Sequence, residues 1–284
     1  MTPLRKKMID AMTLRGFSPR THQSYLTAII DLGNYYHRSP DTLSVDELQT
    51  YFLYLIDKKQ LAPASCRVVL NAIRFLFEKV LQRTSFTLSI VIPRKPQKIP
   101  ELLSIREVKS IINATRNLKQ KTLLLLCYSC GLRVSELVNT RLTDIDADQH
   151  YLRVEHGKGN KDRLVILSET TLQYLRDYWR IYRPVYWLFQ STQRPDKPYA
   201  IRGVQRTYRD ARQKAGIQKI GGVHSLRHAY ATHQLNAGMP VQQLQKMMGH
   251  ADIRTTMRYI HWVPNYQANK GCDLIKSLDM INEN

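Results

Sequence analysis

The sequence predicts a mainly α-helical chain with a small β-sheet, divided into two domains. Apolar residues recur at spacings of three and four over most of the chain, which is the pattern of amphipathic helices. Residues 150–167 instead alternate apolar and polar side chains around a Gly-rich turn, which predicts a β-hairpin. A basic, proline-rich stretch over residues 91–100 fits an extended linker. We therefore expect an all-helical domain over residues 1–90 and a mixed α/β domain over residues 101–284.

The first domain carries its own helix-start signals. One helix is predicted for SPRTHQSYLTAIIDLGNYYHR, with Ser18 as the capping residue and Pro19 at the first helical position. A second is predicted for TLSVDELQTYFLYLIDKK, in which Ser44 and Glu47 have the spacing of a capping box. A third follows in APASCRVVLNAIRFLFEKVL. We expect no strand before about residue 90.

The second domain is expected to begin with helices and then to form the hairpin. Helices are predicted for SIREVKSIINATR and within KQKTLLLLCYSCGLRVSELVNTRLTDID. The two strands of the hairpin are YLRV and RLVIL. Helical periodicity returns over residues 168–284, apart from a Pro- and Tyr-rich segment near residues 183–200.

The charge of the chain indicates a polyanionic partner. Lys and Arg number 43 against 23 Asp and Glu, a formal net charge of +20. Duplex DNA or RNA is the most common polyanionic partner of such a protein. The alternatives are that the protein binds an anionic membrane surface, or that it is basic without having a polyanionic partner. The net charge is +5 in residues 1–90, +3 in residues 91–100 and +12 in residues 101–284, a distribution that suits a clamp around nucleic acid.

Several other classes of protein are disfavoured. The N-terminal segment lacks the apolar stretch of a signal peptide, and the longest apolar run, TLLLLCYSCGL, is too short to span a bilayer. We expect a cytoplasmic, nucleoid-associated protein with no membrane partner. Four cysteines are too few for a disulfide framework. Cys127 and Cys130 form a CxxC inside a Leu-rich helical pattern and lack a second ligand pair, so we expect buried thiols and no metal.

Arg133 and Glu136 are the first candidate functional pair. They lie three residues apart in GLRVSEL, on one face of a predicted helix. An exposed ion pair is the ordinary interpretation of this spacing. The preceding Cys, Gly and Leu favour a half-buried arginine instead, which needs a strong anionic partner.

Lys158 and Lys161 lie in the hairpin turn GKGNKDR. Such turns are usually solvated tips. The alternative is a lysine that the hairpin carries into a groove, where it donates a proton to a leaving oxygen.

His224, Arg227 and His228 stand at a predicted helix start, where free backbone N–H groups favour a phosphate. Arg227 offers a bidentate fork, and His224 exchanges protons near neutral pH. A capping histidine beside an exposed arginine is the alternative. The four-residue spacing of His224 and His228 also fits a metal pair, but HSLRH lacks the glutamate of H-E-x-x-H.

MGHADIRTTMRYIHW places Gly249 and His250 at a turn and Tyr259 on the helix that follows. A tyrosine on an amphipathic helix is more often a core residue than a nucleophile. Each of these signals is therefore weak when it is taken singly.

Together the motifs resemble those of the tyrosine recombinase (phage-integrase) family. Four segments occur in the order of the family's motifs: GLRVSEL, GKGNKDR, HSLRHAYATHQL and MGHADIRTTMRYIH. The N-terminal segment RGFSPRTHQSYLTAIIDL is similar to the helical core-binding domain of Xer-type, integron and mobile-element integrases. One departure is MMGH, where a leucine before Gly-His is more usual. The resemblance implies a two-domain DNA clamp: an all-helical, SAM-like core-binding domain and a mixed α/β catalytic domain.

The resemblance also implies a mechanism in which Tyr259 attacks phosphorus and leaves a 3′-phosphotyrosine and a free 5′-hydroxyl, without metal, cofactor or ATP. Two fixed arginines and a histidine donor would counter the charge of the transition state. Lys158 would protonate the leaving oxygen, and His224 would take or hold the proton of the tyrosine. The implied catalytic residues, with Glu136 in a supporting role, are Arg133, Lys158, His224, Arg227, His250 and Tyr259.

The resemblance further implies strand exchange by four protomers on two duplexes. The tail over residues 271–284 has apolar side chains at helical spacing, and we expect it to dock on a neighbouring protomer or, alternatively, on its own body. Rival functions are a type IB topoisomerase, a catalytically silent DNA-binding protein and a metal nuclease. Integration of a mobile element is favoured over a host-chromosome role.

Overall fold

The first unit of the chain contains helices and no strand over its described residues. In this computed structural model the described residues are 2–83, 88–92, 100–155 and 162–263. The chain divides into Met1–Lys98 and Ile99–Asn284. Most of the expected linker and the C-terminal tail lie outside the described residues. The helices of the first unit are α1 (Pro3–Leu14), α2 (Pro19–Tyr36), α3 (Val45–Leu53) and α4 (Pro63–Arg74).

The predicted helix starts of this unit are confirmed. The Ser18 hydroxyl accepts a hydrogen bond from the Thr21 amide, and Pro19 is the first helical residue of α2. Ser44 and Glu47 cap α3 reciprocally as a capping box. Helix α1 was not predicted, because its charged sequence shows little apolar periodicity beyond the two buried residues Met8 and Met12.

Helices α3 and α4 each continue into a wider π-helical turn, Tyr54–Lys58 and Phe75–Val80. A short 3₁₀ turn, Pro40–Thr42, precedes α3. Helix α2 packs against α4, and α1 packs against the second π-helical turn. All four α-helices and both π-helical turns contribute to the core of the unit, and its most deeply buried members include Leu32, Leu48, Ile73, Leu76 and Phe77.

The second unit is mainly helical and contains one small sheet. Its helices are α5 (Ile105–Asn113), α6 (Leu118–Ser129), α7 (Val134–Val138), α8 (Glu169–Tyr182), α9 (Ile201–Lys214), α10 (His224–Asn236), α11 (Val241–Met248) and α12 (Ile253–Ile260). Its strands are β1 (Ile145–Asp146), β2 (Tyr151–Val154) and β3 (Arg163–Ile166). A 3₁₀ turn, Leu142–Asp144, precedes β1. The predicted fold class, mainly α with a small β-sheet, is thereby confirmed.

The sheet is antiparallel in the order β1-β2-β3. Leu152 lies opposite Val165, and both side chains are buried, whereas Arg153 between the inward-facing positions of β2 is exposed. This alternation confirms the predicted hairpin. The third strand was not predicted, because Ile145–Asp146 is too short to show a two-residue period and follows a helical pattern directly.

Gly131 interrupts the long helical pattern that the sequence shows between α6 and α7. Its φ is +57°, and a Cβ there would lie 2.4 Å from the Tyr230 ring, so only glycine fits. The break ends α6 and lets α7 begin anew, with Arg133 as its N-cap residue.

Two groups of buried residues hold the second unit together. The larger surrounds α6, with Leu123, Leu124 and Leu126 fully buried. A smaller one joins α10, α11 and α12 and includes Tyr259. Over the residues that the structure describes, no helix is long and apolar enough to cross a membrane.

Removal of the α5 cap tests whether local helix signals stabilise the second unit. Ser104 and Glu107 form a capping box, so we expect Ser104→Ala to lower the free energy of unfolding by about 1 kcal/mol. All three tryptophans of the chain lie in this unit, and urea unfolding followed by tryptophan fluorescence therefore reports on it alone. Ser110→Ala, at an exposed position of α5, is the control. Equal unfolding curves for the two variants would contradict the assignment.

Candidate active site

A buried carboxylate, that of Glu136, lies at the centre of the candidate site. Its side chain is 5% exposed. Arg133 donates to it from the backbone amide (2.8 Å) and from Nη1 (2.6 Å). Arg163 binds it in a bidentate fashion, with Nη1 at 2.9 Å and Nη2 at 2.7 Å. Burial raises the pKa of Glu136, but the hydrogen bonds and charges of Arg163, assisted by Arg133, outweigh it and hold the pKa at about 2.

Three arginines hold three consecutive carbonyl groups at the end of α11. Arg163 Nε donates to the Met247 oxygen (2.8 Å), Arg227 Nη2 to the Met248 oxygen (2.5 Å) and Arg133 Nη2 to the Gly249 oxygen (3.2 Å). These carbonyls carry the partial negative charge of the helix C-terminus, which favours cations. The three arginines thus connect α7, β3 and α10 to the C-terminal end of α11.

Arg163 is a site residue that the sequence interpretation missed. It is the last residue of the GKGNKDR motif and the first of β3, and its side chain is 7% exposed. Gly249 has φ +62°, and a Cβ there would lie 2.9 Å from Cδ of Arg163. The available signal was the strand alternation, which puts Arg163 on the same face as buried Val165.

Arg227 is almost fully buried, with 1% of its side chain exposed. It also donates to the Gly131 oxygen and, from Nη2, to Nε2 of His250 at 3.1 Å. Burial and the Arg133 charge lower the pKa of Arg227 to about 10, so the guanidinium remains charged at neutral pH. Its Nη1 lies 3.9 Å from Glu136 Oε2.

His250 is fixed through both ring nitrogens. Its Nε2 accepts from Arg227, because a guanidinium has only donors, and its Nδ1 lies 2.8 Å from Thr256 Oγ1. A neutral ring must therefore carry its proton on Nδ1 and donate it to the threonine. Burial, followed by the charges of Arg227 and Arg133, lowers the pKa of His250 to about 4.

Tyr259 lies on α12 within an aromatic group. Its side chain is buried, and its hydroxyl lies 3.0 Å from Nδ1 of His228. The Tyr259 ring is parallel to His250 at 6.2 Å and perpendicular to Trp262 at 5.1 Å. Burial raises the pKa of Tyr259, while the charges of Arg227 and Arg133 oppose that rise.

His224 is the first residue of α10, as the sequence predicts, and it is exposed at the helix start. Its ring is perpendicular to that of His228, 4.6 Å away. Desolvation of the ring, followed by the charges of Arg227 and Arg133, lowers its pKa. Within the described part of the chain, the hydroxyl of Tyr259 is bonded to His228 and not to His224.

The structure thus brings together five of the six expected catalytic residues, together with Glu136. Lys158 and the turn around it lie outside the described residues. The group also contains His228, which was named at the helix start but given no catalytic role, and three residues that were not expected there: Arg163, Thr256 and Trp262. The described residues contain no group of three or more His, Cys, Asp or Glu that could hold a metal ion.

Cys127 and Cys130 are buried free thiols, as predicted, and burial raises the pKa of each to about 12.

The pKa of Glu136 predicts a specific acid sensitivity. Because folding lowers it from 4.5 to about 2, its contribution of about 3 kcal/mol is complete above pH 4.5 and is lost as the pH falls towards 2. We expect wild-type stability to fall more steeply over this range than that of Glu136→Gln, measured by urea unfolding with tryptophan fluorescence. Asp148→Asn, which removes an exposed carboxylate, should follow the wild-type slope. Parallel curves for wild type and Glu136→Gln would contradict the prediction.

Comparison with known proteins identifies the family. The phage integrase family matches residues 101–265, and the phage integrase N-terminal SAM-like domain matches residues 4–85. The protein named "Putative integrase/recombinase y4qK" of Sinorhizobium fredii (strain NBRC 101917 / NGR234) is 40% identical over 266 residues, which are 93% of this chain and 86% of that protein. Tyrosine recombinase XerD of Yersinia pestis is 33% identical over 282 residues, with 91% and 92% covered.

Solved structures agree with this assignment. The crystal structure of XerA recombinase has a TM-score of 0.53 at 29% identity and covers 90% of this chain and 92% of that one. A lambda integrase tetramer bound to a Holliday junction has a TM-score of 0.72 at 18% identity, covers 90% and 76%, and shows a shared fold. On the family match and these relatives, the chain belongs to the phage integrase family and is a tyrosine-type site-specific recombinase.

Proposed function

We propose that the second unit cleaves one DNA strand through attack of the Tyr259 oxygen on phosphorus, leaving a 3′-phosphotyrosine and a free 5′-hydroxyl. No ATP is needed, because the phosphotyrosine retains the bond energy for resealing. No metal ion takes part, because the arginines and His250 counter the negative charge of the transition state. The observation that supports this reaction best is the convergence of Arg133, Arg227 and His250 beside the Tyr259 ring, described above.

The charge of the site favours a phosphate. Three guanidinium groups face one carboxylate, that of Glu136, which leaves two positive charges uncompensated. Arg133 retains 23% of its side-chain exposure and can reach a ligand from solvent. Each preorganised donor of this kind typically contributes about 10²–10³ in rate, because negative charge accumulates on the non-bridging oxygens in the transition state.

His250 would become a phosphate donor only after a change of protonation. Its Nε2 accepts a hydrogen bond from Arg227. A phosphate bound beside Arg227 would accept the hydrogen bond that Arg227 Nη2 donates to His250. Its negative charge would also raise the low pKa of His250. Protonated Nε2 would then donate to a phosphate oxygen.

The remaining roles follow from position. His224 at the start of α10 would contact the phosphate at the positive end of the helix dipole. Glu136 would hold Arg133 and Arg163 in place. Lys158, which lies outside the described residues between β2 and β3 in the sequence, would protonate the leaving 5′-oxygen.

Helix α9 offers a path for the duplex beside the site. Arg202, Arg206 and Arg209 line an open cleft with His224. Arg206 and Arg209 are well exposed and share one acidic partner, Asp210, so the cleft remains positive. Phosphate contacts from such residues would position the DNA without reading its sequence.

Strand exchange requires more than one protomer. The lambda integrase named above is a tetramer on a Holliday junction, and we propose the same assembly for this chain, with the tail over residues 271–284 docked on a neighbouring protomer. We place its action on nucleoid DNA, with mobile-element integration as the role.

Tyr259→Phe tests the chemistry directly. Wild-type protein incubated with nicked suicide substrates, in chelator and without ATP, should form a denaturation-resistant DNA adduct, and Tyr259→Phe should form none while still binding DNA. Tyr230→Phe is the matched control, since Tyr230 is an equally buried tyrosine whose hydroxyl contacts only Met247 Sδ among the described residues.

Each alternative outcome identifies a different error. An adduct that persists in Tyr259→Phe would mean that another residue is the nucleophile. No wild-type adduct on any DNA, including its own flanking sequence, would leave a silent DNA-binding protein. Cleavage that disappears only on chelation would point to a metal nuclease.

Deletion of residues 271–284 tests the tail. We expect assembly on DNA carrying two sites to weaken about tenfold or more, since burial of even one apolar side chain contributes about 1.5–3 kcal/mol. Adduct formation on a single site should persist. Sedimentation of the protein–DNA complex measures the assembly, and an unchanged tetramer would show that the tail packs elsewhere.

A further inference from the structure

The group nearest to the Tyr259 hydroxyl is His228, one turn beyond His224 on α10. The distance from Oη to Nδ1 is 3.0 Å. Tyr259 is buried, and no other described residue hydrogen-bonds its hydroxyl. Which atom donates depends on the tautomer of His228. In the tautomer that carries its proton on Nε2, the Tyr259 hydroxyl donates to a lone pair on Nδ1, and this is the tautomer that gives the buried hydroxyl proton an acceptor.

The other two histidines of the site are poorly placed for this proton. Both ring nitrogens of His250 are occupied by Arg227 and Thr256. Its ring is also parallel to that of Tyr259, and imidazole lone pairs lie in the ring plane rather than above it. His224 packs against the His228 ring and, among the described residues, forms no hydrogen bond to Tyr259.

We propose that His228 is the catalytic base that accepts the proton of Tyr259 during cleavage, an inference that rests on the proposed function. The O–H bond of Tyr259 breaks, its proton moves to Nδ1, and the oxygen forms a bond to phosphorus. The bond from phosphorus to the 5′-oxygen breaks, and that oxygen takes a proton from Lys158. In resealing, the 5′-hydroxyl returns a proton to Lys158 as it attacks, and His228 returns its proton to the tyrosine.

The surroundings of His228 make this base dependent on DNA. The titratable and charged groups that face it are His224 and Arg227 from its own helix and Tyr259 from α12. Burial, followed by His224 and Arg227, lowers the pKa of His228 to about 4, which makes it a weak base. A bound phosphate adds negative charge beside Arg227 and favours the protonated ring.

His228→Asn separates proton acceptance from hydrogen bonding. Asparagine keeps an acceptor near the Nδ1 position but cannot hold a proton. We expect the single-turnover rate of adduct formation at neutral pH to fall by about 10²-fold or more. The deficit should shrink as the pH rises, because Tyr259 then ionises without help. A merely structural contact would give a deficit that does not change with pH.

His233→Asn is the matched control. His233 lies on the same helix, and its Nδ1 is 2.9 Å from the hydroxyl of Tyr128, in the same type of contact. It lies outside the site, so we expect its cleavage rate to remain within about twofold of wild type. If His228→Asn does not fold, fluorinated tyrosine at position 259 in the intact protein provides the test. A more acidic phenol needs the base less, and the pH dependence should flatten.

A substrate with sulfur at the 5′-bridging position distinguishes base from acid. Sulfur leaves without a proton, so this substrate should restore cleavage to Lys158→Ala but not to His228→Asn. Restoration of His228→Asn, or a His228→Asn rate equal to wild type on the ordinary substrate, would overturn the proposal alone. Absence of any wild-type adduct would instead defeat the proposed function, and this inference with it.

Discussion

The site depends on the buried carboxylate of Glu136. Arg133 and Arg163 reach it from α7 and β3, and Arg227 approaches it from α10. Without that charge, the neighbouring guanidinium groups would repel one another in a poorly solvated space. Each arginine also holds one of three consecutive carbonyls at the end of α11, which fixes the backbone that leads into His250. One ion-pair network therefore positions both the cations and the histidine.

Helix ends are used in opposite ways on the two sides of this network. The C-terminus of α11 presents carbonyls to the arginines, whereas the N-terminus of α10 places the positive end of its helix dipole beside His224. Burial is the largest cause of the low pKa of His224, His228 and His250, and nearby cations lower it further, so the histidines are neutral while the arginines remain charged. The negative charge of a bound phosphodiester would raise the pKa of all three histidines.

Local signals made much of this architecture predictable. The Ser44–Glu47 capping box, the strand alternation and the helix start at His224 depend on near neighbours in sequence, and each occurs as expected. Contacts over long separations were not predictable. Nothing near Arg163 in the sequence indicates that it binds Glu136, 27 residues earlier. Nor does it indicate that position 249 must be glycine because a Cβ there would clash with the Arg163 side chain. Gly131 gave a local clue, but its necessity comes from the Tyr230 ring about a hundred positions away.

Helix α10 carries two histidine–tyrosine pairs whose surroundings give them different properties. His233 bonds Tyr128 through Nδ1 and the Leu103 carbonyl through Nε2, which fixes its tautomer between two partners and makes it a structural link. His228 has the same contact to a tyrosine, but its ring faces His224 and lies one position from Arg227. Charge that binds at the arginines therefore changes the basicity of His228. The charges around His228 and Tyr259, rather than the hydrogen bond between them, make proton transfer in this pair responsive to DNA.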